Sequence, residues 1–218
     1  MPAEPTAPTV PTVEIAVFAR APIPGQAKTR LIPRLGPQGA ARLQQQLTER
    51  ALARARAVPG ARVTLWTTAP ADDAIARATA VTVGATVRAQ CGDDLGARMA
   101  HAFANTLDGR RPMLLIGTDC PAQTVDDLRA ALVALRDADA VVQPAEDGGY
   151  VLIGMKAPWP VLFSAIAWGS DQVLAATRAR AGAHGVRLAE LPPSWDLDRS
   201  EDLDRALALG LVELAPSP

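Results

Sequence analysis

The stretch Val13–Leu31, V-E-I-A-V-F-A-R-A-P-I-P-G-Q-A-K-T-R-L, constrains the chain more than any other. Its first half is short, apolar and biased to β-branched residues, which is how a buried strand reads. It stops abruptly in a Pro/Gly loop carrying Arg20, Lys28, Thr29 and Arg30. A buried strand feeding a cationic loop predicts an open α/β sheet with ligand bound at the strand's C-terminal edge. Arg offers a planar fork and Lys a compact charge, so the loop suits phosphate, and a nucleotide phosphate site is the working expectation. A Walker loop is excluded, because that motif needs G-x-x-x-x-G-K-[ST] and Ala27 stands where its second Gly must be.

The rest of the chain repeats the pattern. High helix propensity runs from Gln38 to Ala57, stopped by Pro59-Gly60, and strands are expected over Arg62–Thr68 and Val81–Gln90 with a short helix Ala71–Ala78 between them. Asp93 or Asp94 caps a helix that ends before Gly109. Pro112–Gly117 is a second buried strand, and Thr124 with Asp127 resembles a capping box opening a helix to Arg136. Ala138–Gln143 and Tyr150–Met155 read as strands, followed by helix Asp171–Ala181, strand Gly185–Glu190 and a last helix from Ser200 to Leu209. Strands alternating with helices predict a mostly parallel sheet covered on both faces. At 218 residues and 49% hydrophobic content, one domain over 13–210 is expected, with a disordered tail over 1–12 and a C-terminal tail over 211–218.

A net charge of -1 gives no electrostatic case for nucleic acid or an anionic membrane surface. No apolar run approaches the ~20 residues a bilayer needs, and the N-terminus does not read as a signal peptide. Cys91 and Cys120 sit in unrelated contexts, so a reduced, cytoplasmic protein is expected.

Four places can carry chemistry. Asp119, directly after the strand ending at Gly117, is placed for Mg²⁺ or Mn²⁺, hard ions that take oxygen ligands and bridge to substrate phosphates; it can equally shape the turn before Pro121. Asp147-Gly148-Gly149 reads as a hairpin turn, or as a place where glycines admit a ligand to the backbone beside Asp147. In Trp195-Asp196-Leu197-Asp198, alternation puts both Asp on one face; Asp198 either caps the last helix with Glu201 or, if Ser200 takes that task, is free for a metal ion. Gly92–Met99 is a tight loop opening a helix whose N-terminus can face a ligand. His101 and His184 read as structural or solvated, and Trp66, Trp159, Trp168 and Trp195 as core or packing residues rather than a stacking platform.

Taken together, F-A-R-A-P-I-P-G-Q-A-K-T-R-L, G-D-D-L-G-A-R-M, L-I-G-T-D-C-P, P-A-E-D-G-G-Y-V-L-I-G, W-G-S-D-Q-V-L and D-L-D-R-S-E-D-L resemble, in order, the GT-A-fold nucleotide-diphospho-sugar transferase superfamily. The nearest resemblance is to a small bacterial family of unknown function, some of whose members are labelled as candidate glycosyltransferases of arsenosugar biosynthesis. It covers the chain from Val13 to Leu209 and implies a Rossmann-like three-layer α/β/α sandwich with a mostly parallel central sheet. It further implies that Arg20, Pro24, Gly25, Lys28 and Arg30 hold the nucleotide, with Asp94 near its base or ribose. Asp119 and Asp198 would bind Mg²⁺ or Mn²⁺, and Asp147, Gly148 and Gly149 would line the acceptor or sugar side. Lys28 and Asp147 would be catalytic, Asp147 by positioning or deprotonating an acceptor hydroxyl. The chain departs from the family at Gly169-Ser170, where Ser-Thr is common, and at Arg199, where Thr is usual.

The function implied is metal-dependent transfer from a nucleotide-activated donor to a small-molecule acceptor, most simply by a glycosyltransferase using an NDP-sugar. The alternatives are a nucleotidyltransferase that moves NMP from an NTP to a phosphorylated acceptor, and a non-catalytic nucleotide-binding protein. Fold alone does not choose among them.

Overall fold

The computed structural model describes residues 12–214. It contains a seven-stranded sheet in the order β3-β2-β1-β4-β6-β5-β7. The strands are β1 Val13–Ala19, β2 Ala61–Thr67, β3 Thr86–Ala89, β4 Met113–Gly117, β5 Ala140–Pro144, β6 Tyr150–Met155 and β7 Leu188–Glu190. The helices are α1 Ile32–Arg56, α2 Ala74–Val81, α3 Leu95–Ala104, α4 Val125–Ala134, α5 Val173–Ala183 and α6 Ser200–Ala208, with 3₁₀ turns at Thr29–Leu31 and Pro160–Phe163. The fold is thus the expected α/β sandwich around a mostly parallel sheet.

Alternation along β1 sorts its side chains between two cores. Val13, Ile15, Val17 and Ala19 face a layer built from Leu52, Ala55, Ala80 and Leu128 of α1, α2 and α4, with Leu135 just after α4. Ala16 and Phe18 face the other layer, with Met99 and Phe103 of α3, Leu162 and Phe163 of the second 3₁₀ turn, and Leu174 of α5. A third cluster joins Leu43 and Leu47 of α1 to Trp195, Leu197, Leu203 and Val212.

β6 runs antiparallel to both β4 and β5. The turn before it is too short for the crossover a parallel pair requires, so the hairpin reading of Asp147-Gly148-Gly149 is correct as architecture. The expected strand Val81–Gln90 shrinks to β3, since Val81 closes α2 and Gly84, at φ +65°, turns the chain. α1 starts earlier than expected and breaks at Gly36 (φ 68°, ψ 166°), where Pro37 begins the long leg.

Residues 1–11 of the expected N-terminal tail lie outside the described residues. Thr12 is tied to the body, its amide donating to Gly60 O at 2.8 Å. Residues 215–218 of the expected C-terminal tail also lie outside. Val212 is buried against α1 and α6, so the packed body runs past Gly210, the last residue before that tail was expected to begin. Among the described residues no helix is long and apolar enough to cross a membrane.

Candidate active site

The sheet's connections reverse between β1 and β4: β2 and β3 extend it one way from β1, and β4 starts the other way. Beyond the C-terminal ends of such neighbouring parallel strands, the loops diverge and leave a crevice. The loop after β1 makes a turn at Ile23–Gln26, with Ala27 N donating to Ile23 O at 3.1 Å. Lys28 then takes the left-handed conformation, φ 47° and ψ 45°, and enters the 3₁₀ turn at Thr29–Leu31. Ala27 is fully buried, and the Lys28 side chain is only 3% exposed.

Lys28 Nζ donates to Asp119 Oδ1 at 2.8 Å and to Leu197 O at 2.5 Å, and lies 3.9 Å from Asp198 Oδ1. Three segments distant in sequence therefore meet at one ammonium group. The Asp198 segment is fixed by the backbone: Ser194 N donates to Pro144 O, Glu146 N to Ser194 O, and Leu197 N to Asp119 O at 2.7 Å. The Arg30 guanidinium pairs with Asp198 from the solvent side. Lys28 thus differs from the expected open phosphate ligand. Its donors are already committed to carboxylates and a carbonyl, and its work in this arrangement is to hold Asp119 and Asp198 together.

Asp198 does not cap the last helix. Asp202 Oδ2 accepts from both Asp198 N (3.0 Å) and Arg199 N (2.7 Å), which fixes the chain's entry into α6 and leaves the Asp198 carboxylate to the crevice. The expected capping pair of Asp198 with Glu201 is one residue out of phase, and Ser200 is the first helical residue rather than the cap.

On the opposite wall, Asp147 Oδ1 accepts from Gly149 N at 2.9 Å, which leaves the other carboxylate oxygen for a ligand. Gly148 sits at φ +89°, and a Cβ there would lie 2.1 Å from Asp171 O. Leu174 N donates to Gly148 O, so the hairpin turn and the start of α5 are packed backbone to backbone. Gly148→Ala should therefore cost about 1–3 kcal/mol through the positive φ and the overpacked contact. In a domain of this size that lowers the melting temperature by roughly 3–10 °C. Calorimetry checks it, and a wild-type melting temperature would mean the two backbones separate freely.

These walls enclose a cleft of about 720 Å³. Arg20, Arg30, Asp119, Asp147, Gly149 and Asp198 of the expected site all line it. Arg20 Nη1 donates to Gln26 O at 3.3 Å, closing the loop on itself. Pro24 and Gly25 are exposed at the tip of the turn and shape the loop without lining the cleft. Asp94 is likewise not a cleft residue: its carboxylate caps α3 by accepting from Ala97 N at 2.7 Å, and the wall there is Leu95 and Met99. The same four-residue spacing fits a cap and a ligand contact, and the cap satisfies a backbone amide at every moment.

Asp196, which alternation puts on one face with Asp198, also lines the cleft. Burial, then the carboxylates of Asp119 and Asp147, push its carboxyl up to about 7, with Lys28 acting in the opposite direction. Four carboxylates, of Asp119, Asp147, Asp196 and Asp198, thus border a site whose buried cation is Lys28. Its oxygen-only donor set fits a hard divalent ion. Such an ion takes one or two protein carboxylates and completes its shell with phosphate and water oxygens. Among the described residues no three His, Cys, Asp or Glu side chains are gathered to hold one by themselves. Trp168, expected to be a packing residue, also lines the cleft, as does Asp171 after it.

The family described as "Uncharacterized protein conserved in bacteria (DUF2064)" matches residues 51–170. A crystal structure of a candidate nucleotide-diphospho-sugar transferase from Desulfovibrio desulfuricans G20 is 30% identical, with a TM-score of 0.80 over 90% of this chain and 86% of that one. At 12% identity, 4-diphosphocytidyl-2C-methyl-D-erythritol synthase from Anaerococcus prevotii DSM 20548 has a TM-score of 0.60 over 92% of this chain and 98% of that one. At 14% identity, CMP:2-keto-3-deoxy-manno-octonic acid synthetase complexed with CTP has a TM-score of 0.52 over 91% and 98%. The last two are likenesses of fold. No curated protein matches the chain.

Proposed function

The chain belongs to this bacterial DUF2064 family and is a transferase, and we propose that it moves a sugar from an NDP-sugar donor to the hydroxyl of a small acceptor with the help of a divalent cation. The observation that carries this reading is the meeting of Lys28, Asp119 and Asp198 at the switch point of the sheet, beside Arg20 and Arg30. The likeness to a candidate nucleotide-diphospho-sugar transferase supports the donor, and a protein of the same fold complexed with CTP supports a nucleotide as a ligand.

Arg20 and Arg30, at the cleft wall, take the diphosphate, with the planar forks that suit phosphate oxygens. Asp119 and Asp198 would hold the Mg²⁺ or Mn²⁺, which would neutralise charge on the departing diphosphate. Lys28 is a positioning residue: it keeps the two carboxylates at one spot and offsets their repulsion before any ligand arrives. Asp147, with one oxygen tied to Gly149 N, accepts the proton of the acceptor hydroxyl on the other. The acceptor oxygen then bonds to the anomeric carbon as the bond from that carbon to the diphosphate oxygen breaks, and NDP leaves with the electron pair. Preorganised charge at the diphosphate is the main source of acceleration in this scheme.

Thermal shift with NDP-sugars and NTPs, each with and without Mn²⁺, tests the donor. A ligand at a hundredfold its Kd adds about 2.7 kcal/mol of stability, or roughly 5–10 °C for a domain of this size. An NDP-sugar that stabilises the protein more in Mn²⁺ supports the reading. Stabilisation by an NTP alone would favour NMP transfer, and no stabilisation by any nucleotide would remove the function.

A further inference from the structure

A buried chain of polar groups runs from α1 to the carboxylate that follows β4. Gln44 and Thr48 lie one turn apart on the core-facing side of α1, among Leu43, Leu47 and Ala51. That side of a helix is normally apolar, so two polar residues there must find partners inside the protein. Gln44, Thr48 and Thr118 are only 2%, 6% and 4% exposed. Thr118 and Asp119 both line the cleft.

The protons in this chain run in one direction. Thr48 Oγ1 donates its single proton to Gln44 O at 2.8 Å. Towards the Gln44 amide, 3.4 Å away, it can therefore only accept, and the amide nitrogen faces it. The same nitrogen donates to Thr118 Oγ1 at 3.0 Å. The Thr118 hydroxyl, accepting from Gln44, keeps its own proton to give, and Asp119 Oδ1 accepts it at 3.3 Å. Lys28 Nζ donates to that same oxygen at 2.8 Å. Both donors thus fall on Oδ1, and among the described residues no donor meets Asp119 Oδ2. An ammonium group is a compact point charge that either carboxylate oxygen would satisfy. The hydroxyl, anchored to a helix, selects one of the two.

We propose that Gln44 and Thr118 are positioning residues for the divalent ion: the α1 amide orients the Thr118 hydroxyl, the hydroxyl holds Asp119 Oδ1, and Oδ2 is the oxygen left for the metal. The inference rests on Asp119 as a metal ligand, and goes beyond that reading by naming the oxygen that binds and the groups that hold it. Hydrogen bonds behind a ligating side chain fix its orientation and raise metal affinity. This role also accounts for a buried glutamine whose partner lies 74 residues further along the chain.

Titration of the protein with Mn²⁺ alone, read by the loss of the free-ion EPR signal, tests this without turnover. Thr118→Val keeps the shape of the side chain and removes the hydroxyl, so the Kd for Mn²⁺ should rise about tenfold. Thr118→Ser restores the hydroxyl and should bind Mn²⁺ within about threefold of wild type. Gln44→Leu should weaken binding by a similar factor to Thr118→Val. Added to Thr118→Val it should weaken binding no further, because the amide acts only through the hydroxyl. A glutamine with a purely structural task would lower the melting temperature of the metal-free protein and leave Mn²⁺ affinity alone. Wild-type affinity in Thr118→Val, failure of Thr118→Ser to restore it, or losses that multiply in the double variant would each overturn the proposal. Any of these, with Mn²⁺ still bound by the wild type, leaves the metal reading standing. Absence of Mn²⁺ binding by the wild type would overturn that reading and the proposal with it. The Thr118 pair decides the matter even where Gln44→Leu folds poorly.

Discussion

Asp119→Asn should lower turnover by about 10²–10³-fold, the size expected for losing one preorganised charged group at the diphosphate. The substitution is nearly isosteric, and the contact that fixes the neighbouring segment, Leu197 N to Asp119 O, belongs to the backbone and survives it. An amide oxygen still accepts from Lys28, so the fold should melt close to the wild type. What disappears is a formal charge that is 47% exposed to the cleft and follows directly from β4. The Mn²⁺-dependent part of the thermal shift should go with it, because a carbonyl oxygen is a poorer ligand for a hard ion than a carboxylate. Activity within threefold of wild type, or an unchanged Mn²⁺ effect, would take Asp119 out of the site.

Lys28→Met should cost both activity and stability. Removing one partner of a buried ion pair typically costs about 3–5 kcal/mol. Asp119 and Asp198 are each 47% exposed and regain water, so the expected loss is nearer 1–3 kcal/mol. That corresponds to a fall of roughly 3–10 °C in melting temperature. The carbonyl of Leu197 also loses its donor, and the carboxylates of Asp119, Asp196 and Asp198 lose the cation that offsets them. Turnover should fall about 10²-fold as the two carboxylates drift apart, since small misplacements at a reacting centre are that expensive. Lys28→Arg should not rescue it, because the planar guanidinium is shaped differently from the ammonium that fits this slot. A Lys28→Met protein with wild-type stability and a weakened donor Kd alone would instead make Lys28 a simple phosphate contact.

Much of this was readable from the chain, for local reasons. β1 and β4 announce themselves because a strand buried on both faces is continuously apolar and ends where a loop must begin. The hairpin at Asp147-Gly148-Gly149 is legible as a turn, and the structure adds that it is also a cleft wall, which turn chemistry alone does not reveal. The capping box at Thr124 and Asp127 forms as read. The misreadings have a common cause. Whether Lys28 is open or buried depends on partners some 170 residues away, and a loop sequence carries no sign of what packs on it. Asp94 and Asp198 each had two plausible tasks, and tertiary placement made one a cap and turned the other to the cleft, where Lys28 and Arg30 meet it. Asp196 could not be separated from Asp198 because alternation puts both on one face, while only the fold shows that Asp196 is pressed among other carboxylates. Trp168 looked like core because aromatic residues usually are; it reaches the cleft lining in a position that a side chain on Gly96 would not allow.

The central claim is that the Lys28, Asp119 and Asp198 constellation serves transfer from an NDP-sugar. Following the phosphorus signals of a turnover mixture by ³¹P NMR, with the stabilising donor, Mn²⁺ and a panel of small hydroxyl acceptors, tests it most directly. NDP should accumulate in step with glycosylated product, and Asp119→Asn should slow both by about 10²–10³-fold. Pyrophosphate in place of NDP, with the nucleoside monophosphate joined to the acceptor, would contradict it.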